Sequence, residues 1–422
     1  MQIDPDLIAT HNHTFAANLE ADYDFLGSVC SRYNLDIASI TQKVAAFQVV
    51  LPSWGVGTGG TRFGRFPMGG EPRTILEKLE DCAVINQLTR VTAGVSTHFP
   101  WDRWSDYSEL RGMATSLGLH FDAVNSNTFQ DQPGQPLSYK FGSLSHTDAA
   151  VRQQAIEHNL ECVSIGQQLG SRALSVWLAD GSNFAGQSSF SGSFSRYISS
   201  LKNVVAGLPA DWQLLIEHKC FEPAFYSTVL QDWGSSYIAA TELGQQALCL
   251  VDLGHHAPNV NVEQIVSRLA QFGKLGGFHF NDSKYGDDDL DAGSVNPFML
   301  FLVFNELVGS GTTCGYMLDQ SHNVTDPIES LIQSTIELTR AYAQALLVDR
   351  AALHHAQENN DPLLALETLK IAFRTDVSPI LAKARLAAGG AQMPLEVYRA
   401  SQYRKAVTAA RPSQLRLGGG IV

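Results

Sequence analysis

The chain has 422 residues, of which 44% are hydrophobic and 17% charged, ordinary globular usage that excludes a disordered or fibrous protein. Its 42 acidic residues outnumber 29 basic ones, giving a formal net charge of -13, which opposes binding to nucleic acid or to an anionic membrane surface. A small neutral substrate fits that balance better.

Residues 1–45 read as helical, and from there the pattern changes. Short apolar and β-branched runs recur at Ala46 to Leu51, Arg90 to His98, Leu119 to Asn125, Arg172 to Leu178, Gln213 to His218, Gln246 to Asp252, Leu275 to Phe280 and Thr312 to Asp319. These are strand signals. Between them lie amphipathic stretches: Arg73 to Leu88, Thr147 to Leu169, Phe194 to Ala206, Val262 to Phe272 and Pro297 to Val308. Strand then helix, repeated without hairpins, predicts parallel crossovers. The expected fold is α/β, a (β/α)8 TIM barrel with helical N- and C-terminal extensions; an open doubly wound sheet shares the same pattern. The expected division is a helical extension over 1–45, a catalytic barrel over 46–327 and a helical extension over 328–422 that serves packing and oligomerisation. In the last part, Leu363, Leu366, Leu369 and Phe373 form an apolar stripe that needs the barrel or another subunit to cover it.

The six cysteines are scattered singly, with no CxxC pair, which suits reduced thiols and a cytoplasmic protein. The first residues carry no basic segment leading into an apolar one, and no run of about 18 apolar residues occurs. Neither a secretory signal nor a membrane span is expected.

In a barrel of this type, chemistry is assembled at the C-terminal ends of the strands. Glu217, Asp252, His279 and Asp319 stand there on the last four predicted strands. Three carboxylates and an imidazole suit Mn2+, Co2+, Mg2+ or Zn2+. His255, Asp287 and Asp289 lie slightly further along the same loops and supply donors for a second cation, with Glu217 placed to bridge. Such a pair could chelate a diol and acidify a bound water. Any one of these residues alone reads as a surface group or a satisfied core group; their register at four strand ends is what makes a site. Lys219 follows Glu217 by two residues, where its ammonium can polarise a carbonyl oxygen. His98 follows the second strand and can contact a sugar hydroxyl, although a structural hydrogen bond explains it nearly as well. Trp54, Phe63, Phe129 and Trp177 lie at or just beyond other strand ends, as rings stacking on the C–H face of a sugar would. The pattern GxGxxG from Gly55 to Gly60 lacks a following helix, so it reads as a loop near the pocket and not as a dinucleotide site.

The segments Ile216-Glu217-His218-Lys219, Val251-Asp252-Leu253-Gly254-His255-His256, Phe278-His279-Phe280-Asn281-Asp282 through Asp287-Asp288-Asp289, and Leu318-Asp319-Gln320-Ser321-His322-Asn323 together resemble the metal-binding motifs of bacterial L-rhamnose isomerases. The likeness is greatest to the broad-specificity branch that also acts on D-allose, and it covers most of the chain. The resemblance implies a (β/α)8 fold, a homotetramer and interconversion of L-rhamnose and L-rhamnulose with two divalent ions, Mn2+ above all. It assigns Glu217, Asp252, His279 and Asp319 to a structural metal, and His255, Asp287 and Asp289 to a catalytic one. By the same resemblance Lys219 polarises the substrate, His98 contacts it, and Trp54, Phe129, Trp177 and Ser321 line the sugar pocket. Phe63 corresponds to a residue that reaches the pocket from a neighbouring subunit. The implied chemistry is aldose–ketose isomerisation by metal-assisted hydride shift. An enediol route, with Glu217 or Asp319 as base, is the competing mechanism. A metal-dependent sugar epimerase acting through an enediol on the same barrel is the alternative enzyme; it would leave His255, Asp287 and Asp289 unexplained.

Overall fold

A computed structural model describes residues 2–61, 64–221, 227–257, 259–286 and 288–411. Eight strands form its centre: β1 (Val50–Pro52), β2 (Gly94–Phe99), β3 (His120–Ser126), β4 (Ala173–Trp177), β5 (Gln213–Glu217), β6 (Ala247–Asp252), β7 (Leu275–Phe280) and β8 (Gly315–Leu318). Each pairs in parallel with the next, and β8 closes on β1 through Val50 and Met317. The closed ring removes the open-sheet reading. All eight sequence-predicted strands are present, the first of them displaced. The run from Ala46 begins inside a helix, Ile37–Ala46, because Phe47 leaves that helix to stack on Tyr342, with ring centroids 4.6 Å apart. The strand starts only at Val50.

A helix follows every strand: Ile75–Thr89, Tyr107–Ser116, Ala149–Leu169, Phe190–Ala206, Trp233–Leu243, Val262–Gln271, Pro297–Ser310 and Pro327–Leu346. Their starts are encoded locally. Thr74, Asp106, Asp148, Ser189, Asp232, Asn261, Asn296 and Asp326 each accept a backbone N–H in the first turn of the helix they precede, which satisfies donors that a helix end otherwise leaves open. Two of these helices escaped the apolar-period reading. Tyr107–Ser116 buries only Leu110 and Ala114, and Trp233–Leu243 buries small residues such as Ser236, Ala239 and Ala240.

Alternation along the strands separates two environments. On β5, Leu214 and Ile216 belong to the main core shared with the helices. Leu215 instead joins Leu250 and Ala123 in a small separate cluster inside the barrel. Glu217 lies two residues beyond Leu215, and Asp252 two beyond Leu250, so both carboxylates share the inward face, one layer above an apolar floor.

The N-terminal helices Pro5–Arg32 and Ile37–Ala46 pack on Ser378–Ala387. Asn12 ties the two ends of the chain together, donating to the Gly390 carbonyl at 3.0 Å and accepting from the Gln392 N–H at 2.8 Å. The C-terminal part adds Arg350–Glu358 and Pro362–Arg374. Of the apolar stripe, Phe373 packs on Phe298 and Phe301, whereas Leu363 is 73% exposed. The helical extension ends in two short helices, Pro394–Ser401 and Tyr403–Ala410, separated by Gln402 in the left-handed region at φ 56. All six cysteines are free, and no helix among the described residues is long and apolar enough to cross a membrane.

Candidate metal centre and pocket

β5, β6, β7 and β8 deliver Glu217, Asp252, His279 and Asp319 to one point. One ligand atom from each lies within 4.8 Å of all the others. His279 Nδ1 is the centre of the group, 3.1 Å from Glu217 Oε1, 3.2 Å from Asp319 Oδ2 and 3.8 Å from Asp252 Oδ2. Glu217, Asp252 and His279 are buried. Asn281 holds Asp252 from behind, its Nδ2 lying 3.1 and 3.0 Å from the two carboxylate oxygens, and the Gly254 N–H donates to Oδ1 at 2.7 Å. Trp54 donates its indole N–H to Asp319 Oδ1 at 2.8 Å.

The charges do not balance among themselves. Burial opposes ionisation of Glu217, yet His279 and His255 beside it hold its carboxyl far below the usual range. Burial pushes Asp252 up to about 7, and Glu217 and Asp319 add to that rise. Burial disfavours a charged His279, but Glu217 and Asp319 overcome it and raise its pKa to about 10. One imidazolium thus faces three acids in a place where an uncompensated charge is costly. The donor set fits a divalent cation, whose charge offsets the carboxylates and whose hard-acid character suits oxygen ligands.

The remaining predicted residues surround this cluster. His255 Nδ1 is 3.1 Å from Glu217 Oε1 and 3.1 Å from the His218 carbonyl. Asp289 has φ 47 and borders the cavity; its carbonyl accepts from the Ser321 N–H at 3.1 Å. Asp287 and Phe63 lie outside the described residues. Lys219 Nζ sits 5.0 Å from the centre of the Trp177 ring, and the Phe129 ring lies 4.7 Å from that of Trp177. Trp54, His98, Phe129, Trp177, Lys219 and Ser321 all line one cavity of about 870 Å³ together with Glu217, His255, His279, Asp289 and Asp319. The Gly55–Gly60 loop forms part of its wall. At Gly59 a Cβ would collide with Ser321 Oγ, which explains the glycine there.

His98 is set by a buried carboxylate that sequence spacing did not single out. Asp102 accepts from the His98 backbone N–H at 2.8 Å, from Ser53 Oγ and, at 2.5 Å, from Lys78 Nζ. The imidazole stacks on Trp101 at 4.0 Å and meets Trp54 edge-on at 5.5 Å. Burial lowers its pKa to about 3, so the ring is neutral near pH 7. His256 is placed away from the site: it packs edge-on against His218, 4.9 Å between centroids.

The chain matches no family model. It is 62% identical over 428 residues to a probable sugar isomerase of Rhizobium meliloti (strain 1021), covering 100% of both chains. A second probable sugar isomerase, from Mesorhizobium japonicum, is 61% identical over 426 residues, covering 100% of this chain and 99% of the other. The chain belongs to this sugar isomerase family. A xylose isomerase of Thermus thermophilus is similar at 24% identity over 280 residues, covering 61% of this chain and 68% of its own. Among solved structures, an L-ribulose 3-epimerase superposes with a TM-score of 0.53 at 15% identity, covering 71% of this chain and 95% of its own. A D-psicose 3-epimerase superposes with a TM-score of 0.51 at 12% identity, covering 70% and 97%. These two share the barrel.

The structure also places at the cavity residues that the motifs did not reveal. Lys78, Arg65 and Glu71 reach the cavity from the segment after β1. Arg65 pairs with Glu71, and the Glu71 carboxylate also accepts the Thr58 N–H at 3.0 Å. Arg65 and Glu71 are lone charges outside any periodic segment, and Lys78 stands in the helix Ile75–Thr89, where one charge is indistinguishable from a solvated one, so nothing local marked them. Asn281 stood inside a quoted motif without a role, and its hold on Asp252 is a matter of strand alternation: His279 and Asn281 lie on the same face of β7 and its extension.

Proposed function

We propose that this chain is a metal-dependent aldose–ketose isomerase that interconverts L-rhamnose and L-rhamnulose, with D-allose and D-psicose as a second pair. The observation that carries the reading is the convergence of Glu217, Asp252, His279 and Asp319 beside His255 and Lys219 in a cavity walled by Trp54, Phe129 and Trp177. Family membership supports isomerase chemistry, and the motif resemblance supports the sugar.

Glu217, Asp252, His279 and Asp319 would hold one divalent ion, and His255, Asp287 and Asp289, with Glu217 between, a second; bound there, Mn2+ or a similar ion supplies Lewis-acid polarisation of the sugar oxygens. The protein's own groups do the rest. Trp54, Phe129 and Trp177 cover the C–H face of the sugar and exclude water. Lys219 donates to the carbonyl oxygen as negative charge grows on it. His98, neutral, exchanges hydrogen bonds with a hydroxyl. Hydrogen leaves C2 with its electron pair and joins C1, while the O2 proton passes to O1; the aldehyde becomes an alcohol and C2 a ketone, with nothing gained or lost.

The deciding experiment is turnover of L-rhamnose and D-allose by metal-stripped protein, before and after Mn2+ is restored. Conversion restored by metal is expected. No conversion of either sugar by protein that demonstrably binds the ion would sink the proposed substrates. Running the reaction in D2O tests the route, since extensive solvent deuterium at C1 would mean an enediol. The homotetramer, with Phe63 reaching a neighbouring pocket, is part of the same proposal. A fully active monomer in light scattering would contradict it.

A further inference from the structure

The helix Tyr403–Ala410 and the arginine that follows it grip two loops of the pocket without entering it. Arg404 forms a two-pronged pair with Asp326, Nε to Oδ2 at 2.8 Å and Nη2 to Oδ1 at 2.7 Å, and Tyr398 OH donates to the same Oδ2 at 2.8 Å. Asp326 also caps Pro327–Leu346. It therefore ends the loop that begins with Asp319 and Ser321. Arg411, with only 4% of its side chain exposed, contacts both oxygens of buried Asp81 at 2.9 Å and Glu80 at 2.9 Å. Tyr403 OH adds a bond to Asp81 at 2.8 Å.

The same two arginines reach the segment after β1. Arg404 Nη1 lies 3.4 Å from the Gly69 carbonyl and Arg411 Nη1 3.4 Å from that of Gly70. The backbones nearly touch. A Cβ on Gly69 would stand 2.8 Å from Thr408 Cγ2, and one on Gly70, which has φ +80, would stand 2.8 Å from the Thr408 nitrogen. Immediately beside these glycines, Met68 and Glu71 line the cavity. β1 and β8 are neighbours at the closure of the barrel, and their loops are already joined by the Gly59 N–H donating to the His322 carbonyl at 2.9 Å. One helix thus fastens both sides of that seam.

We propose that Tyr403–Ala410, acting through Arg404 and Arg411, is a positioning element that sets the shape of the sugar end of the cavity while touching neither substrate nor metal ligands. The inference rests on reading the cavity as a sugar site. A loop held in its bound shape before the ligand arrives spares the cost of ordering it on binding. Loosening the clamp therefore weakens sugar binding more than it slows turnover, because Glu217, Asp252 and His279 stand on β5, β6 and β7, away from the seam, and Asp319, seven residues before Asp326, is held by its own contacts to Trp54 and His279.

The test compares Gly69→Ala, Gly69→Ala combined with Thr408→Ala, and Arg411→Met in the full chain. Hydrogen exchange over residues 66–73 is read alongside KM and kcat for L-rhamnose. Gly69→Ala is expected to quicken exchange and to raise KM about five-fold with kcat within about two-fold, the pattern of lost ground-state binding. Adding Thr408→Ala removes the methyl group that the new Cβ strikes and is expected to restore both. Unchanged exchange in Gly69→Ala and in Arg411→Met, or no restoration by Thr408→Ala, overturns the proposal. Quickened exchange in Gly69→Ala, reversed by Thr408→Ala, in a protein that turns over no sugar even as wild type supports the clamp and counts instead against the isomerase reading.

Discussion

Trp54 and Asp319 are joined by an indole N–H···O bond of 2.8 Å across the seam where the barrel closes. The wall of the cavity and the cluster of acids are therefore one unit, and the orientation of the Asp319 carboxylate depends on a residue from the loop after β1. Trp54→Phe keeps the ring and removes the donor. A hydrogen bond to a charged acceptor contributes about 1.5–3 kcal/mol, so kcat/KM should fall roughly 10- to 100-fold, with the loss visible in steady-state kinetics and little change in folding.

Asn281 touches no predicted sugar position but holds both oxygens of Asp252. Partners behind a ligand orient it, and losing one typically weakens metal affinity about 10- to 100-fold. Asn281→Ala should show that loss in a competition titration with a chelating indicator, with activity recovered at higher Mn2+.

Binding of a divalent ion should stabilise the fold, because it offsets the mutual repulsion of Glu217, Asp252 and Asp319. At an ion concentration about 100 times Kd the gain is about 2.7 kcal/mol. Calorimetry of chelator-treated protein with and without Mn2+ should show the higher Tm, and Asp252→Asn should remove most of the difference. An equal shift in that variant would place the ion elsewhere.

Asp102 joins Ser53, Lys78 and the His98 backbone in a buried knot. In Asp102→Asn the Lys78 ammonium keeps no counter-charge there, and a half-broken buried pair costs about 3–5 kcal/mol. Urea denaturation should show that loss, while Lys78→Met together with Asp102→Asn should be milder than the sum of the single changes.

His98 is neutral in the folded protein down to about pH 3, whereas the unfolded chain protonates it near 6.5. Between those values the unfolded state binds the extra proton, so stability rises with pH. The contribution is complete above about 6.5 and declines as pH falls, by up to about 1.4 kcal/mol per unit. Imidazole nitrogen shifts should report a neutral His98 at pH 5, and the drop in urea midpoint from pH 7 to pH 5 should be smaller in His98→Gln. A His98 that titrates near 6.5 in the folded protein would refute this.

Much of the architecture was legible in the chain. The eight apolar runs and the capping residues before the eight barrel helices are local signals, set by apolar side chains and by hydrogen-bonding groups at helix starts. The strand-end positions of Glu217, Asp252, His279 and Asp319 were legible because each closes or follows a short apolar run. The helices Tyr107–Ser116 and Trp233–Leu243 stayed hidden because small or sparse residues form their buried faces. The break at Gln402 was equally invisible, as a single left-handed residue leaves no periodic trace.

The sequence by itself determined which residues stand at the C-terminal ends of the strands, because apolar runs and turn chemistry act over a few residues. Only the tertiary structure decided that His279 Nδ1 stands among three carboxylates, that Asp102 fixes His98, and that Arg404 and Arg411 fasten the seam between β1 and β8. Those pairings join residues that are distant along the chain, and their distances come from how the barrel closes and how the terminal helices pack on it.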